Sequence, residues 1–286
     1  MSRIAFVNGR YLPYAQAAVH IEDRGYQFAD GVYEVCEVRG GQLIDERRHM
    51  ERLARSLREL RISLPMPLPV LGIILRETIE RNRVRDGIVY LQVTRGVAKR
   101  DHAFPVPETK PSVVAIARSK DRAKGEATAA AGIPVITVPE NRWDRVDIKS
   151  IGLLPNVLVR QEAREKGAGE AWFVDRDGFV TEGSSSNAWI VTRDKKIITR
   201  PADHGILRGI TRTVVLDVAK KLGHTIEERP FTVEEALAAS EAFVTAATQI
   251  VMPVVQIDGK PVGNGHPGLV VTSLRVHFYE AAEIAE

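Results

Sequence analysis

The apolar residues of this chain follow two different periods, and this alternation restricts the fold more than any other feature. Val32 to Val38 alternates apolar and polar side chains and runs into Gly40-Gly41, which predicts a half-buried strand that enters a hairpin. Glu46 to Ile62 instead repeats apolar residues at helical spacing. Because both periods recur along the chain, we predict an α+β (mixed α/β) fold. Further strands are predicted in 4–13, 87–96, 112–119, 133–138, 241–247 and 254–262. Further helices are predicted in 71–81, 156–166 and 211–222. We also predict a hairpin over 171–190 around Asp177-Gly178 and a capping box at Thr232–Glu235.

The length of 286 residues predicts two modest domains or one large one. Residues 120–132 change in character, because a charged stretch gives way to an alanine-rich one without a strong period. We interpret the first half of this segment as an interdomain linker. The predicted division is a smaller N-terminal α/β domain over residues 1–121 and a larger C-terminal domain over residues 122–286.

Composition narrows the class of protein. Basic and acidic residues are interspersed and the net charge is only +3, so we expect no nucleic-acid partner. No segment approaches the roughly 18 uninterrupted apolar residues of a membrane span, and the first residues contain no long apolar run that would predict a secretory signal. The single cysteine, Cys36, is expected in the core and excludes a disulfide within one chain, which favours the cytoplasm. No metal site is predicted.

Lys149 is the first residue that could carry chemistry. It stands in "RVDIKSIGLLPN", where apolar and polar residues alternate as in a strand that leaves a sheet. An amine among Ile148, Ile151, Leu153 and Leu154 would lose hydration, which favours the neutral, nucleophilic form needed for Schiff-base chemistry. The alternative is a solvated lysine at a strand end.

Two segments of the C-terminal half could bind an anion. Gly183 and the three serines after it lie between predicted strands, where flexible backbone and clustered donors can surround an anion, although a polar hairpin loop has the same composition. Residues 209–211 begin a predicted helix, whose N–H groups and dipole favour phosphate unless Thr211 is simply its N-cap.

Charged side chains near these segments extend the hypothesis. Glu182, at the edge of the serine loop, could pair with a protonated ring nitrogen. Arg100 and His102 follow a predicted strand and could converge on one carboxylate.

The order of these segments resembles the fold-type IV enzymes that depend on pyridoxal 5'-phosphate (PLP), the class IV aminotransferases. This group includes D-amino-acid aminotransferases, branched-chain aminotransferases and aminodeoxychorismate lyases. The resemblance extends from about Phe6 to "IDGKPV", and the Arg-x-His pair resembles the D-amino-acid branch. The matching segments are, in chain order, "DRGYQFADGVYEV", "HMERL", "TRGVAKRDHAFP", "RWDRVDIKS", "VRQEAREKGAGEA", "VTEGSSSN", "GITR" and "FVTAAT".

The resemblance implies a two-domain fold-type IV architecture with PLP bound by the C-terminal domain, and it implies a role for each matching residue. Lys149 would hold PLP covalently and move the substrate proton. Glu182 would contact the pyridine nitrogen, and Arg142 would lie near the phenolic oxygen. Arg100 and His102 would reach in from the neighbouring subunit. The other expected residues are Arg52, Ile210 and Thr211 at the phosphate, Leu207 against the ring, Ser184, Ser185 and Ser186 in the loop beside it, and Tyr33, with Arg100 and His102, at the substrate carboxylate.

One position departs from the family pattern. Family members often place a hydroxyl on the phosphate within the segment that here reads Val244 to Thr248, and Ala247 occupies that position. Phosphate binding there would rest on backbone N–H groups, with Thr248 as a possible substitute.

The expected activity is transfer of an amino group from a D-amino acid to a 2-oxo acid such as 2-oxoglutarate, by ping-pong chemistry in a cytoplasmic homodimer with shared active sites. A branched-chain L-amino-acid aminotransferase is the nearest alternative, and Arg100 with His102 argues against it. An aminodeoxychorismate lyase is a further alternative. A non-catalytic PLP-binding protein is a fourth, which the presence of both Lys149 and Glu182 disfavours.

Overall fold

The computed structural model describes residues 3–284, which divide into two compact units. Within the described residues, the first unit contains residues 3–122, Ile148–Gly152 and 283–284. The second contains Ala123–Asp147 and Leu153–Ala282. Each unit combines helices with one sheet, and the predicted mixed α/β class is confirmed.

The first unit is built on a six-stranded antiparallel sheet in the order β2-β1-β6-β5-β3-β4. The predicted Asn-Gly and Gly-Gly turns join β1 to β2 and β3 to β4. The elements are β1 (Ile4–Val7), β2 (Arg10–Pro13), α1 (Arg24–Phe28), β3 (Gly31–Arg39), β4 (Gln42–Leu43), α2 (Glu46–Glu59), α3 (Leu68–Arg81), β5 (Gly87–Thr94) and β6 (Ser112–Ser119).

Alternation along β3 decides which face of this sheet is buried. Val32, Cys36 and Val38 are at most 1% exposed and pack in one apolar cluster with residues of α2 and α3, including Leu53 and Leu75. Cys36 is a free, buried thiol, as predicted. Glu34 lies on the same face of β3 because successive side chains of a strand point to opposite sides, and it is fully buried.

The second unit is built on a nine-stranded sheet with both parallel and antiparallel pairs. Its main path runs β12-β11-β10-β13-β14-β7-β8-β9, and β15 pairs with β14. The elements are α4 (Arg122–Ala131), β7 (Ile133–Pro139), α5 (Leu154–Glu165), β8 (Glu170–Val174), β9 (Val180–Gly183), β10 (Asn187–Val191), β11 (Ile197–Thr199), α6 (Ile210–Lys221), β12 (Ile226–Glu228), α7 (Val233–Ala238), β13 (Glu241–Ala246), β14 (Ile250–Ile257), β15 (Lys260–Pro261) and α8 (Leu269–Ala281).

Two local expectations for this unit need correction. The segment interpreted as a linker contains the division between the two units, at Arg122 and Ala123, but α4 also begins there, because its alanines sustain a helix. The hairpin expected over residues 171–190 includes only β8 and β9, because β10 pairs with β11 and β13 instead. The predicted capping box at Thr232 and Glu235 is present at the start of α7.

None of the helices within residues 3–284 has the length and apolar character needed to cross a membrane.

Candidate active site

Lys149 lies in the first unit, beside the beginning of β3. The strand expected around it is reduced to a single bridge between Ser150 and Val32. The carbonyl of Lys149 accepts a hydrogen bond from the backbone N–H of Tyr33 at 3.0 Å. The backbone N–H of Lys149 donates to Ser56 Oγ at 3.4 Å. These bonds fix the backbone of Lys149 against β3 and α2.

The side chain of Lys149 lies over an aromatic surface. Its Nζ is 4.2 Å from the centroid of the Tyr33 ring, and Tyr33 stacks on Tyr90 with 5.6 Å between centroids. Burial, and secondarily the nearby Tyr33, raise the pKa of Tyr90 to about 12. The structure therefore brings two predicted site residues together, and it holds the partly buried amine on the face of Tyr33.

Arg52 is bound to an acidic side chain that the sequence did not single out. Its Nε and Nη2 donate to the two carboxylate oxygens of Glu34 at 2.8 and 2.7 Å, and His49 Nδ1 lies 2.7 Å from Oε2 of the same group. Glu34 and His49 are 0% and 2% exposed. This fork fixes the guanidinium plane of Arg52, the residue expected at the cofactor phosphate.

Arg100 and His102 lie in an exposed loop between β5 and β6. Both pack against Phe28 of α1, with the Arg100 guanidinium 5.0 Å and the His102 ring 5.4 Å from the ring centroid. The structure therefore brings these two together on one aromatic ring. The ring of Tyr33 instead contacts Lys149 and Tyr90.

In the second unit, Glu182 is the centre of a buried charge network. Its Oε1 accepts from Arg142 Nη1 at 2.6 Å, and Arg142 also binds both oxygens of Glu140. Burial raises the pKa of Glu182 above its usual value, although Arg142 acts in the opposite direction. A further cation beside Glu182 would favour its ionised form. Arg142, expected near the phenolic oxygen of PLP, is thus a partner of Glu182.

Asn187 connects Glu182 to two other predicted residues. Its side-chain amide donates to Glu182 Oε2 at 2.9 Å and to the carbonyl of Leu207 at 2.8 Å, while the Leu207 N–H donates to Glu182 at 3.1 Å. A Cβ at position 209 would lie 2.2 Å from Asn187 Oδ1, so Gly209 is required for this close approach.

The N-terminus of α6 presents backbone N–H groups that no N-cap side chain satisfies. The helix begins at Ile210 with Gly209 as N-cap, so Thr211 is not the cap. Ile210 and Thr211 are 8% and 5% exposed. A buried helix N-terminus of this kind favours an anion, because its N–H groups and the helix dipole both point to negative charge.

The three serines of the loop between β9 and β10 surround one carboxylate. The hydroxyls of Ser184, Ser185 and Ser186 all donate to Glu170, the last two at 3.3 and 2.9 Å. Glu170 is fully buried and also accepts from Arg160 at 3.1 Å. These hydroxyls therefore order the loop around an internal anion.

Ala247 and Thr248 lie in the turn between β13 and β14. Ile250, which follows this turn, has φ of +61°, a conformation that is strained for a β-branched residue. The nearby hydroxyl of Thr245 accepts a hydrogen bond from Trp189 Nε1 at 2.9 Å. The strained residue thus lies directly after the turn, and the hydroxyl of Thr245 is bound inside the unit.

The comparison with known protein families shows to which family a chain with these residues belongs. The model of the amino-transferase class IV family matches residues 31–257. The chain belongs to this family. The match confirms the predicted aminotransferase activity, and class IV aminotransferases are PLP-dependent.

Relatives of this class IV aminotransferase are similar along nearly its whole length. It is 40% identical to a D-alanine aminotransferase of Staphylococcus haemolyticus over 278 residues, 97% of each chain. It is 44% identical to a D-alanine aminotransferase of Bacillus licheniformis over 261 residues, which are 91% of this chain and 90% of the relative. Its fold is similar, with a TM-score of 0.85 and 25% identity over 99% of each chain, to a branched-chain aminotransferase of the archaeon Thermoproteus uzoniensis solved with norvaline.

Sequence reasoning missed the residues that hold the predicted ones in place. Glu34 lay within a predicted strand, and a charged residue within an otherwise apolar alternation was a signal there. Glu170 lay just before the hairpin predicted over residues 171–190 and gave no such signal. Asn187 ends the "GSSSN" motif, so its polarity at the start of a buried strand was a second signal.

Proposed function

We propose that this chain is a D-amino-acid aminotransferase that moves the amino group of a D-amino acid to a 2-oxo acid such as 2-oxoglutarate. The observation that carries the proposal is the Arg100-x-His102 pair, present in a chain that is 40% identical to a D-alanine aminotransferase along 97% of its length. The donor amino acid reacts first and the acceptor second, as in other ping-pong enzymes.

Each unit, taken by itself, contains residues that fit part of PLP chemically. Lys149 has a partly buried amine that suits the aldehyde group of PLP. The uncapped N-terminus of α6, with Ile210 and Thr211, suits the phosphate. Glu182 suits a protonated ring nitrogen because its buried carboxylate, with a raised pKa, gains from a second cation. When bound, PLP supplies an electron sink for charge that develops at the substrate Cα. The remaining proposed contacts are Arg52 at the phosphate, Leu207, Arg142 and Ser184 to Ser186 around the ring, and Ala247 with Thr248 at the second phosphate turn.

Lys149 would hold and move the proton. As a free amine, Nζ of Lys149 would accept the proton from the substrate Cα and would later donate it again. Tyr33, on whose ring the amine lies, limits the directions in which Nζ can reach. Glu182 would keep the ring nitrogen protonated, since a buried carboxylate favours a nearby cation.

Handedness would follow from the position of the carboxylate-binding residues. The Cα–H bond must point to Lys149, and exchange of D for L then exchanges the carboxylate with the side chain. Tyr33, Arg100 and His102 would bind the carboxylate on one of these two sides. A charge-assisted hydrogen bond contributes about 1.5–3 kcal/mol, so two misplaced contacts would favour the D form by orders of magnitude.

We further propose a cytoplasmic homodimer in which Arg100 and His102 serve the site of the other subunit. Leu154, Val157 and Leu158, at helical spacing on α5, are 69%, 59% and 59% exposed. An apolar group of this kind on a surface helix marks a protein interface. The buried, unpaired Cys36 fits a reducing compartment.

The test is a half-reaction without acceptor. PLP-loaded protein is mixed separately with D-alanine, L-alanine and L-leucine, and the cofactor absorbance is followed together with 2-oxo acid release. We expect rapid conversion with D-alanine only, and none in the Lys149→Ala variant. Faster conversion with L-leucine than with any D-amino acid would assign the chain to the branched-chain alternative. Bound cofactor without any half-reaction would favour a non-catalytic PLP-binding protein.

A further inference from the structure

Arg24, the first residue of α1, is a buried arginine that binds a loop far away in sequence. It is 3% exposed. Its Nη1 donates to the carbonyls of Asp101 and Ala103 at 2.6 and 3.2 Å, and its Nη2 donates to the carbonyl of His102 at 3.4 Å. One guanidinium therefore binds three consecutive carbonyls, which requires the loop to curve around it.

The position of Arg24 is fixed from several sides. Its backbone N–H donates to the carbonyl of Gly96 at 2.9 Å, and Asp23 caps the short helix that it begins. Its Nε donates to Asp30 at 2.8 Å, and Asp30 also accepts from Arg95 at 2.7 and 3.0 Å. Because burying a charge without a partner is costly, the shared carboxylate of Asp30 is what allows two buried arginines at this place.

The loop that Arg24 holds carries both residues expected to recognise the substrate carboxylate. Residues 99–104 are exposed and form neither helix nor strand. The side chains of Arg100 and His102 pack on Phe28, and the Arg24 guanidinium lies 4.8 Å from the same ring. Arg24 thus restrains the backbone of this loop, while Phe28 contacts its two functional side chains.

We propose that Arg24 is a positioning residue for recognition of the substrate carboxylate: by holding the carbonyls of residues 101–103 it presents Arg100 and His102 in their binding geometry. This inference rests on the proposed function, because it assumes that Arg100 and His102 bind the substrate.

Arg24→Lys is the decisive substitution. Lysine keeps a positive charge for Asp30, but a single ammonium group cannot donate to three carbonyls in the planar geometry of a guanidinium. The loop then loses its anchor, and binding of the carboxylate weakens. We expect KM for D-alanine to rise about tenfold, the equivalent of one charge-assisted hydrogen bond, while kcat changes by less than about twofold. PLP content should stay at the wild-type level.

A substrate without a carboxylate distinguishes a loss of carboxylate recognition from a general loss of enzyme activity. Ethylamine is D-alanine without its carboxylate, so its slow half-reaction should proceed at the wild-type rate in Arg24→Lys. In a background that lacks both side chains, Arg100→Ala with His102→Ala, Arg24→Lys should add no further increase in KM, because the groups that it positions are already absent.

Arg95→Lys is the matched control. Arg95 is also buried and also binds Asp30, but its carbonyl partners are Leu60 and Arg61. It contacts the held loop through the Phe104 ring, 3.7 Å from its guanidinium, and a lysine can keep a positive charge on that ring. We expect its KM for D-alanine to remain within about twofold of wild type. An equal rise in KM in both variants, or an equally slowed reaction with ethylamine, would overturn the inference.

The neutral variant Arg24→Gln is the second substitution and should give the same pattern as Arg24→Lys. If neither variant folds, Arg24 serves the fold alone and the inference is wrong. Failure of the proposed function is distinguishable, because wild-type protein would then not convert D-alanine or Arg100→Ala would leave its KM unchanged.

Discussion

Replacement of Glu34 by glutamine should remove a pH-dependent part of the folding free energy. Glu34 lies on the buried face of β3 between Val32 and Cys36, and all three residues are at most 1% exposed. A carboxylate in an apolar row is unfavourable unless it is paired. Here the fork from Arg52 and the contact with His49 supply the partners.

The size of the effect follows from the pKa of Glu34. Burial alone would raise it, but the charge and hydrogen bonds of Arg52 and the contact with His49 outweigh burial and lower the pKa from 4.5 to about 2. At about 1.4 kcal/mol for each pH unit, this contributes about 3 kcal/mol of folding free energy. Because the pKa is lowered on folding, the contribution is present above pH 4.5 and is lost as the pH falls through about 2.

Urea unfolding of the cofactor-free protein between pH 6 and pH 2, at one protein concentration, measures this contribution. Wild type should lose about 3 kcal/mol more than Glu34→Gln over this range. At pH 6 the variant should be less stable by about 3–5 kcal/mol, because the buried Arg52 loses a charge partner. The control is Glu46→Gln, which removes the more exposed pair between Glu46 of α2 and Arg76 of α3 and should cost about 1 kcal/mol or less. Parallel stability curves for wild type and Glu34→Gln would refute the reasoning.

Three further predictions concern the reaction. Borohydride reduction of the PLP-loaded protein should fix the cofactor on Lys149 in a peptide map, and label on another lysine would contradict its role. Glu182→Gln should keep PLP but lower kcat at least about a hundredfold, since loss of a buried charge partner raises the barrier by about 3 kcal/mol; near-normal turnover would exclude the assignment. Mixing inactive Lys149→Ala chains with Arg100→Ala chains, which bind the substrate carboxylate poorly, should raise activity through hybrid dimers. No gain in activity despite confirmed subunit exchange would argue against shared sites.

The elements that the sequence predicted well are those whose determinants are local. The helix α2 follows from apolar spacing, the hairpin of β1 and β2 from Asn8-Gly9, and α7 from the capping box of Thr232 and Glu235. In each case the residues that stabilise the element lie within it or next to it. Periodicity and capping chemistry are therefore sufficient to predict such elements.

The missed elements depend on distant residues. The helix α8 has no side-chain cap of its own, and the backbone N–H groups of Val270 and Val271 donate to Glu241 of β13 at 3.2 and 2.9 Å. The strand β11 has only three residues and is defined by its pairing with β10 and β12. The segment around Lys149 has strand-like alternation but makes a single bridge, because its backbone binds to β3 and α2 at separate points.

The same division between local and distant determinants applies to the candidate site. Residues expected to touch PLP or substrate were recognisable because they stand in short motifs. The groups that restrain them were not, because Glu34 and Glu170 are separated from Arg52 and the serines by strands or loops. Only the folded structure reveals these pairs, because the two members of each pair are in contact although they are far apart in the sequence.

The buried acids of the two units have a common physical meaning. A buried ion pair is weak evidence for stability, because apolar residues of similar volume often stabilise a fold as well or better. Glu34 nevertheless stands within an apolar row of β3, and Glu170 lies fully buried below the serine loop. In each case the partner is a group expected at the cofactor, Arg52 or Ser184 to Ser186. A chain under selection for stability alone could replace these acids, whereas a chain that must hold a guanidinium and a hydroxyl loop in fixed orientations could not. We therefore infer that these carboxylates are buried because they fix the geometry of the site, and not because they stabilise the fold.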